Sequence, residues 1–345
     1  MFEVRTMKKL WPALALTLSC TALLPAEAQA TAWEAKTMRA SLSAREVERP
    51  LILGKGWLEL SLEAQVKSTN QYWGPEGEKL EWDYAEWLYT KETLRVRYGI
   101  LRRGDLTWEL PVHYLRLQNE NLGTNTKGLY WGDPRFSFAF EPFRTDVPLT
   151  SVVVKAEMKA PMGNEAPGSY IAGPSTFQRF ITTSGTPDLT LSARGKRHFG
   201  VFAAEAGVGY MYRFSGLAQY LIETTNNQLN GRLKPGNQLL LDALGTIQLG
   251  PVAVQGGVWY RRWGTAEAGT TSAGLLPNGN LEPIVGSEGS SFGLDAVAIG
   301  HVTRGIDVVA AANIPLSGED LMFFPIEDLH PTRGITYTGR LEFRF

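Results

Sequence analysis

The chain has 345 residues, 43% of them hydrophobic and 11% aromatic, and its formal net charge at pH 7 is −1. This length suits one large domain or two smaller ones, and the near-neutral charge gives no reason to expect nucleic acid as a partner. The 36 glycines, 10 tryptophans and 12 tyrosines are typical of a β-protein with many turns and exclude a polytopic helical membrane protein, which would be far more apolar.

The first 30 residues have the features of a cleaved secretory signal peptide. A basic start precedes an apolar stretch over 10–24, and Ala28-Gln29-Ala30 supplies an A-x-A cleavage site. The alternative is an uncleaved anchor helix, but the apolar stretch is too short for one and prolines occur at Pro12 and Pro25. Translation could begin at Met1 or Met7. We therefore predict export and cleavage after Ala30.

Cys20 is the only cysteine of the chain. A lipidated cysteine is the alternative to the cleaved signal, but Thr17 stands where lipoprotein signals carry an aliphatic residue. On the favoured cleavage the mature chain has no cysteine, so it forms no disulfide in the oxidising periplasm.

Residues 31–55 lie between the signal peptide and the first strand-like stretch. Part of this segment, "KTMRASLSAREVER", could form a short helix. Two arrangements remain open, a free periplasmic tail and a plug in the lumen of a barrel, and the tail is preferred.

From residue 56 onward the sequence alternates between apolar and polar residues. In "WLELSLEAQV" the leucines share one parity while glutamate, serine and glutamine share the other, which is the period of a strand with two unlike faces. The same alternation recurs about twelve times, less cleanly at 237–249 and 290–302. The predicted strands are 57–66, 93–100, 106–114, 135–141, 152–159, 188–196, 202–213, 237–249, 252–263, 290–302, 305–315 and 334–345.

The connections between these strands alternate between short and long. Short ones such as "RGKRH" and "TRG" alternate with long stretches rich in Gly, Asn, Ser, Thr and Pro. This ordering favours an all-β fold, a transmembrane up-and-down antiparallel barrel of about twelve strands over 56–345. Short turns would lie on the periplasmic side and long loops outside a Gram-negative outer membrane. Closure is required because a bilayer leaves no water to satisfy an open sheet edge.

The chain ends on an amphipathic strand, "GITYTGRLEFRF". It resembles the C-terminal signature of bacterial outer-membrane barrels, which the insertion machinery reads before the last strand pairs with the first. The residues that carry this resemblance are Tyr337, Leu341, Phe343 and Phe345.

Four stretches in the middle of the chain carry a more specific resemblance. They are "YWGDPRFSFAF" (130–140), "VVVKAEMKAPMGN" (152–164), "TPDLTLSARGKRHFG" (186–200) and "VFAAEAGVGYMYRF" (201–214). In this order they resemble the outer-membrane barrel family labelled transporter or "MetA pathway of phenol degradation". The resemblance implies a channel or uptake role near hydrophobic aromatic compounds and brings no defined binding residues.

No catalytic or cofactor site is indicated. None of the four histidines has a partner at metal-ligand spacing, and nucleophile-elbow, phosphate-loop and dinucleotide motifs are absent from the sequence. We therefore predict no cofactor, no metal and no enzymatic activity. A membrane hydrolase remains a distant third hypothesis.

Charged residues on the polar parity are the candidates for lining the lumen and setting selectivity. They are Arg95, Arg97, Arg135, Lys155, Lys159 and Arg194, with Asp242, Asp295 and Asp307 on later strands. One hypothesis is a basic wall facing a mildly acidic one, a field that would favour polar or anionic solutes. The other is that these charges fill the interior by pairing with glutamates, namely Glu59, Glu63, Glu109, Glu157 and Glu205.

The last long connection carries an apolar run that includes Phe323 and Phe324. Outside the bilayer it could meet hydrophobic ligands, or it could pack on neighbouring loops or fold into the mouth of the barrel. The leading functional prediction is an outer-membrane channel for passive uptake or efflux of small molecules, with aromatic or hydrophobic compounds as candidate solutes. The alternative is a structural or adhesive barrel that displays its loops to a partner.

Overall fold

The computed structural model describes residues 43–69, 71–73, 77–81, 86–119, 124–163, 186–222, 227–271, 274–275, 281–283, 288–318 and 334–345. Within them, twelve long strands follow one another along the chain. They are β1 (Leu58–Thr69), β2 (Glu86–Leu101), β3 (Gly104–Asn119), β4 (Arg135–Asp146), β5 (Leu149–Lys159), β6 (Asp188–Phe199), β7 (Phe202–Arg213), β8 (Gln238–Leu249), β9 (Val252–Trp263), β10 (Gly289–Thr303), β11 (Ile306–Gly318) and β12 (Thr336–Arg344).

These strands form a closed up-and-down barrel. Each pairs antiparallel with the next in sequence, and β12 also pairs with β1 from Glu59↔Arg344 to Lys67↔Thr336. Past the end of β12, the Phe345 N–H donates to the Leu58 carbonyl at 2.9 Å and the Leu58 N–H donates to the Phe345 carbonyl at 3.1 Å. The predicted all-β, twelve-stranded up-and-down barrel is confirmed.

The barrel is apolar outside and polar inside. On β4, Phe136, Phe138 and Phe140 are 48%, 39% and 39% exposed, while the alternating Ser137 and Ala139 are each 8% exposed. A soluble protein rarely exposes an apolar area of this kind, whereas an apolar outer band is what a barrel in lipid requires. Successive side chains along a strand therefore face, in turn, the apolar outer surface and the lumen.

The two ends of the barrel differ in their connections. At the short-turn end, adjacent strands are joined by two-residue turns, and Gly200 and Gly250 adopt positive φ of 69° and 62° there, where glycine is favoured. At the long-loop end, several short strands extend the wall beyond the barrel. They are Gln71–Trp73, Lys79–Glu81, Thr124–Trp131, Gly216–Ile222, Asn227–Lys234, Glu267–Thr271, Gly274–Leu275 and Leu281–Pro283.

Helical structure in the described residues is a 3-10 turn at Glu46–Glu48. None of the helices in this part of the chain has the length and apolarity needed to cross a membrane.

Candidate functional site

The N-terminal segment, residues 43–57, lies inside the short-turn end of the lumen. Its apolar side chains are buried, with Val47, Ile52 and Leu53 at 0%, 1% and 3% exposure. Ile52 packs against Ala139 of β4 and Val153 of β5, both of which face inward. Because these contacts are with the lumen side of the wall, the segment enters the barrel.

One side of the segment is bonded to β2 and β3. The Arg97 Nη2 donates to the Leu51 carbonyl at 2.6 Å, and the Leu53 N–H donates to Asp105 Oδ2 at 2.8 Å. Arg97 also pairs with Asp105 at 2.5 Å. An inward-facing ion pair on the barrel wall thus supplies one donor and one acceptor to the backbone of the segment.

The 3-10 turn is bonded to strands on the other side of the lumen. The Glu46 N–H donates to Gln248 Oε1 at 2.7 Å, and Lys196 Nζ donates to the Glu46 carbonyl at 2.9 Å. These residues lie on β8 and β6. The segment is therefore tied to strands on both sides of the lumen.

Arg49 joins a buried cluster of charges near the barrel seam. Its guanidinium forms an ion pair through Nη1 with Asp307, and its Nη2 bonds the other carboxylate oxygen at 3.2 Å. Asp307 is fully buried and also contacts His301 Nδ1 at 2.8 Å and Arg344 Nη1 at 2.5 Å. Arg344 bonds Glu59 across the seam at 2.7 Å. Asp307, predicted as a lumen residue, is thus the anchor of the segment.

Residues 43–57 are thus bonded to the inner face of the barrel at several points. A local pattern could not reveal this, because the contacts join residues far apart in sequence, as in the Arg49–Asp307 pair, separated by 258 positions. Residues 31–42 lie outside the described part of the chain.

The other predicted lumen charges also face inward, and each contacts a polar partner on the wall. The pairs are Arg95–Glu109 (2.7 Å), Arg97–Asp105 (2.5 Å), Arg135–Glu157 (3.4 Å), Lys155–Glu157 (2.5 Å), Lys159–Asp188 (2.6 Å), Arg194–Asp242 (2.7 Å) and Asn313–Asp295 (2.6 Å). The glutamates named for pairing are all engaged, with Glu63 bound by Arg340 and Glu205 by Lys196, each at 3.3 Å. Each of these charged side chains is thus engaged with a polar partner on the inner wall.

The Arg194–Asp242 pair spans a strand. Arg194 lies on β6 and Asp242 on β8, and Gly207 of β7 is opposite both in the register. A side chain at Gly207 would meet the Asp242 carboxylate. The pair forms because the intervening residue has no side chain.

The motif that carried the family resemblance folds into one ion cluster at the long-loop end. Lys159 Nζ lies 2.6 Å from Asp188 and 3.8 Å from Asp133, and all three residues are buried. The Gly163 N–H donates to Asp133 Oδ1 at 2.9 Å. The cluster fastens the ends of β4, β5 and β6 together. Asp133 and Asp188 were not selected from the sequence, although both stand inside the quoted motif.

Apolar side chains interrupt the polar inner face of the barrel on β8 to β11. Ala253, Ile299 and Val309 pack together at the short-turn end, and Val297 lies against them. The name apolar lane is used for these four residues together with Leu244 and Leu240, which face inward on β8. Asp242 separates the two leucines, and Thr246 and Gln255 lie between Leu244 and Val297. The leucines, Val297 and Ile299 interrupted the predicted polar parity, and the structure shows that the interruptions share one region of the wall.

The predicted C-terminal signal lies on the outward face of β12 and just beyond it. Tyr337, Leu341 and Phe345 are exposed, and Phe343 is half-buried on the same side. The predicted cleavage residues Ala28 and Ala30 and the loop residues Phe323 and Phe324 fall outside the described residues. Among the residues that are described, no group of three or more His, Cys, Asp or Glu is arranged to hold a metal ion.

Comparison with solved structures finds a barrel of similar fold. The COG4313 outer membrane channel from Pseudomonas putida F1 is similar with a TM-score of 0.61 and 14% identity, over 85% of this chain and 97% of that chain. Lower scores relate the chain to the translocator domain of the autotransporter NalP from Neisseria meningitidis (0.45, 8% identity, 91% of this chain and 94% of that chain) and to the P. putida toluene transporter TodX (0.39, 9% identity, 88% and 91%).

At 14% identity the first similarity shows the fold alone. No protein-family model matches the sequence, and no curated protein matches it significantly.

Proposed function

We propose that the protein is an outer-membrane channel through which small molecules move passively, without a catalytic step. The observation that carries the proposal is the lumen of the closed barrel, where an apolar lane faces a wall of paired charges. The similarity to the COG4313 outer membrane channel and the resemblance to the phenol-degradation family support the same function. The leader at 1–30 and the C-terminal strand would direct export and insertion.

The lane favours hydrophobic or aromatic solutes that carry a polar group. Contact with apolar side chains is worth about 25 cal/mol for each Å² removed from water. Asp242 and Asp295, engaged with Arg194 and Asn313, lie beside the lane and offer acceptors to a hydroxyl group. The charges on the remaining wall are paired and leave little net electric field. A bare ion is therefore stabilised less in this lumen than at a ring of unpaired charges.

We further propose that residues 43–57 act as a plug at the periplasmic end, which is the short-turn end. The segment is bonded to strands on both sides of the lumen and anchored by the Arg49–Asp307 pair. A solute that leaves through this end needs the segment to shift. The conductance would then depend on the fraction of molecules in which the segment is displaced from the lumen.

A reversible lock tests both parts of the proposal. Cysteines placed at Ile52 and Ala139, whose side chains pack together, would tie the plug to β4. The predicted mature chain has no other cysteine, so no native thiol competes with the two introduced ones. Planar-bilayer recording and vesicle uptake of phenol and of a sugar of similar size provide the readouts. The two single-cysteine variants serve as controls.

We expect the oxidised pair to conduct and transport less than either control, with activity restored by a reductant. We also expect phenol to enter faster than the sugar. Equal activity of oxidised and reduced protein would refute the plug. A folded protein that passes neither ions nor phenol, even after deletion of 43–57, would refute the channel.

A further inference from the structure

A groove on the outside of the barrel has the composition of a site for a charged lipid headgroup. The outer groove has a volume of about 800 Å³ and is lined by Tyr210, Leu239, Tyr260, Arg262, Ser290 and Lys234, among others. It lies at the long-loop end, where β7 to β10 meet the extension strand Asn227–Lys234. The outward-facing side chains of β7 to β10 in its lining are Tyr210, Leu239, Tyr260, Arg262 and Ser290, so the groove opens on the outer face of the barrel.

The register fixes the height of the groove. Tyr210, Leu239, Arg262 and Ser290 are successive partners and form one row across four strands. The next row toward the barrel centre is Val208, Leu241, Tyr260 and Phe292. The outward face therefore changes from apolar to polar at the Arg262 row. Tyrosines at such a boundary are typical of a membrane interface.

Arg262 is the residue that points to a ligand. It faces outward and is exposed, and no ion pair for it is found among the described residues. An arginine on the lipid face costs about 2–4 kcal/mol at the bilayer midplane but about 0–1 near the interface. The guanidinium at this height would therefore lie among the headgroups, where its donors match a phosphate.

Lys234 adds a second cation above Arg262. It bonds Glu267 at 2.9 Å, so its charge is partly compensated. The groove also contains Glu288, which accepts a hydrogen bond from Thr265 at 3.3 Å. The two cations lie on the barrel side and the extension side of one groove, and Glu288 would oppose an anion placed between them.

We propose that the outer groove binds the phosphate of an outer-leaflet glycolipid, with Arg262 as the main contact and Lys234 as the second. Tyr210 and Tyr260 would pack against the sugar and the upper part of the acyl chains. The inference rests on the proposed outer-membrane location. It does not depend on conduction through the lumen.

The test is a titration of the purified full-length protein in detergent, followed by native mass spectrometry. The probes are lipid A with both phosphates and the same lipid after enzymatic dephosphorylation. Arg262→Gln is the test variant. Arg197→Gln is the matched control, because Arg197 is also an exposed arginine, near the short-turn end of β6, and lies over Phe199 at 5.2 Å.

We expect the phosphorylated lipid to bind about tenfold more tightly than the dephosphorylated one, as a charge-assisted contact to phosphate implies. Arg262→Gln should remove this preference, Lys234→Gln should reduce it, and Arg197→Gln should leave it intact. Glu288→Gln should strengthen it, because an opposing charge is removed.

Equal binding of the two lipids, or a preference that survives Arg262→Gln, would overturn the proposal. Displacement of the lipid by millimolar inorganic phosphate would also overturn it, since the groove would then be a free-phosphate site. Conductance of Arg262→Gln should equal that of the wild type. A failure of the lipid site is thereby distinguished from a failure of the channel.

Discussion

Loss of the Arg49 side chain should loosen the plug. Arg49 is 5% exposed and its partner Asp307 is fully buried. Removing one partner of a buried ion pair costs about 3–5 kcal/mol when the other charge is left alone. Asp307 keeps Arg344 and His301 in Arg49→Gln, so the cost falls to about 2 kcal/mol, the range of hydrogen bonds to a charged group.

A change of about 2 kcal/mol in the seated state corresponds to a roughly 30-fold change in the ratio of unseated to seated plug. The assay is single-channel recording in planar bilayers, with open probability compared between wild type and Arg49→Gln at the same voltage and salt. Arg45→Gln is the control, because the Arg45–Glu48 pair is about 40% exposed on both sides. Exposed pairs contribute below about 1 kcal/mol.

A second substitution, Gly99→Ala on β2, should displace the proposed plug without removing any of its charges. A Cβ at Gly99 of β2 would overlap the carbonyl of Gly54 in the segment. Gly99 is also held by bonds to Gly56 (2.7 Å) and Trp57 (2.9 Å), so Gly99→Ala should displace the segment. If Gly99→Ala and Arg49→Gln both show the open probability of the wild type, the seating of residues 43–57 does not control conductance.

Other positions give separate tests. Leu244→Asp should slow phenol entry into vesicles several-fold without lowering ion conductance, because it interrupts the apolar lane and adds an inward charge. Deletion of Phe345 should slow folding into vesicles, measured by gel mobility, because its two backbone bonds to the first strand are lost. Lys159→Met should lower the free energy of unfolding by about 3 kcal/mol in a urea titration, because buried Asp188 loses its cation. Lys155→Met, whose ion-pairing side chain is 36% exposed, should cost below about 1 kcal/mol.

The barrel could be predicted from sequence because one physical constraint acts on every strand. Lipid outside and polar side chains inside impose a period of two, and each two-residue turn restarts it. The constraint weakens beyond the membrane. The sequence prediction for β2 covered 93–100, whereas the strand runs Glu86–Leu101. The stretch "EWLYTKE" (86–92) lacks strict alternation, so the pattern did not reveal that part of the strand.

Inward orientation could be predicted, but most charge partners could not. Arg95 and Glu109 are directly opposite each other in the β2–β3 hairpin, so the position of the turn between these strands would have been enough to predict the pair. The Arg194–Asp242 pair depends on the register of three strands and on a glycine between them. Parity places a side chain in the lumen, whereas its partner depends on the stagger of neighbouring strands.

The seat of residues 43–57, the proposed plug, depends on barrel closure. Asp307 lies on β11, Arg344 on β12 and Glu59 on β1, and Arg344 bonds both carboxylates. Asp307 and Arg344 meet through the pairing of β11 with β12, but Glu59 joins them only when β12 pairs with β1. Arg49 then completes a cluster that the open sheet lacks, so we expect the segment to dock after the seam forms. In refolding, the Ile52–Ala139 cysteine cross-link should appear after the gel-mobility shift of the closed barrel. A cross-link that precedes the shift would mean that the segment docks on β4 and β5 independently of the seam, through its apolar contacts.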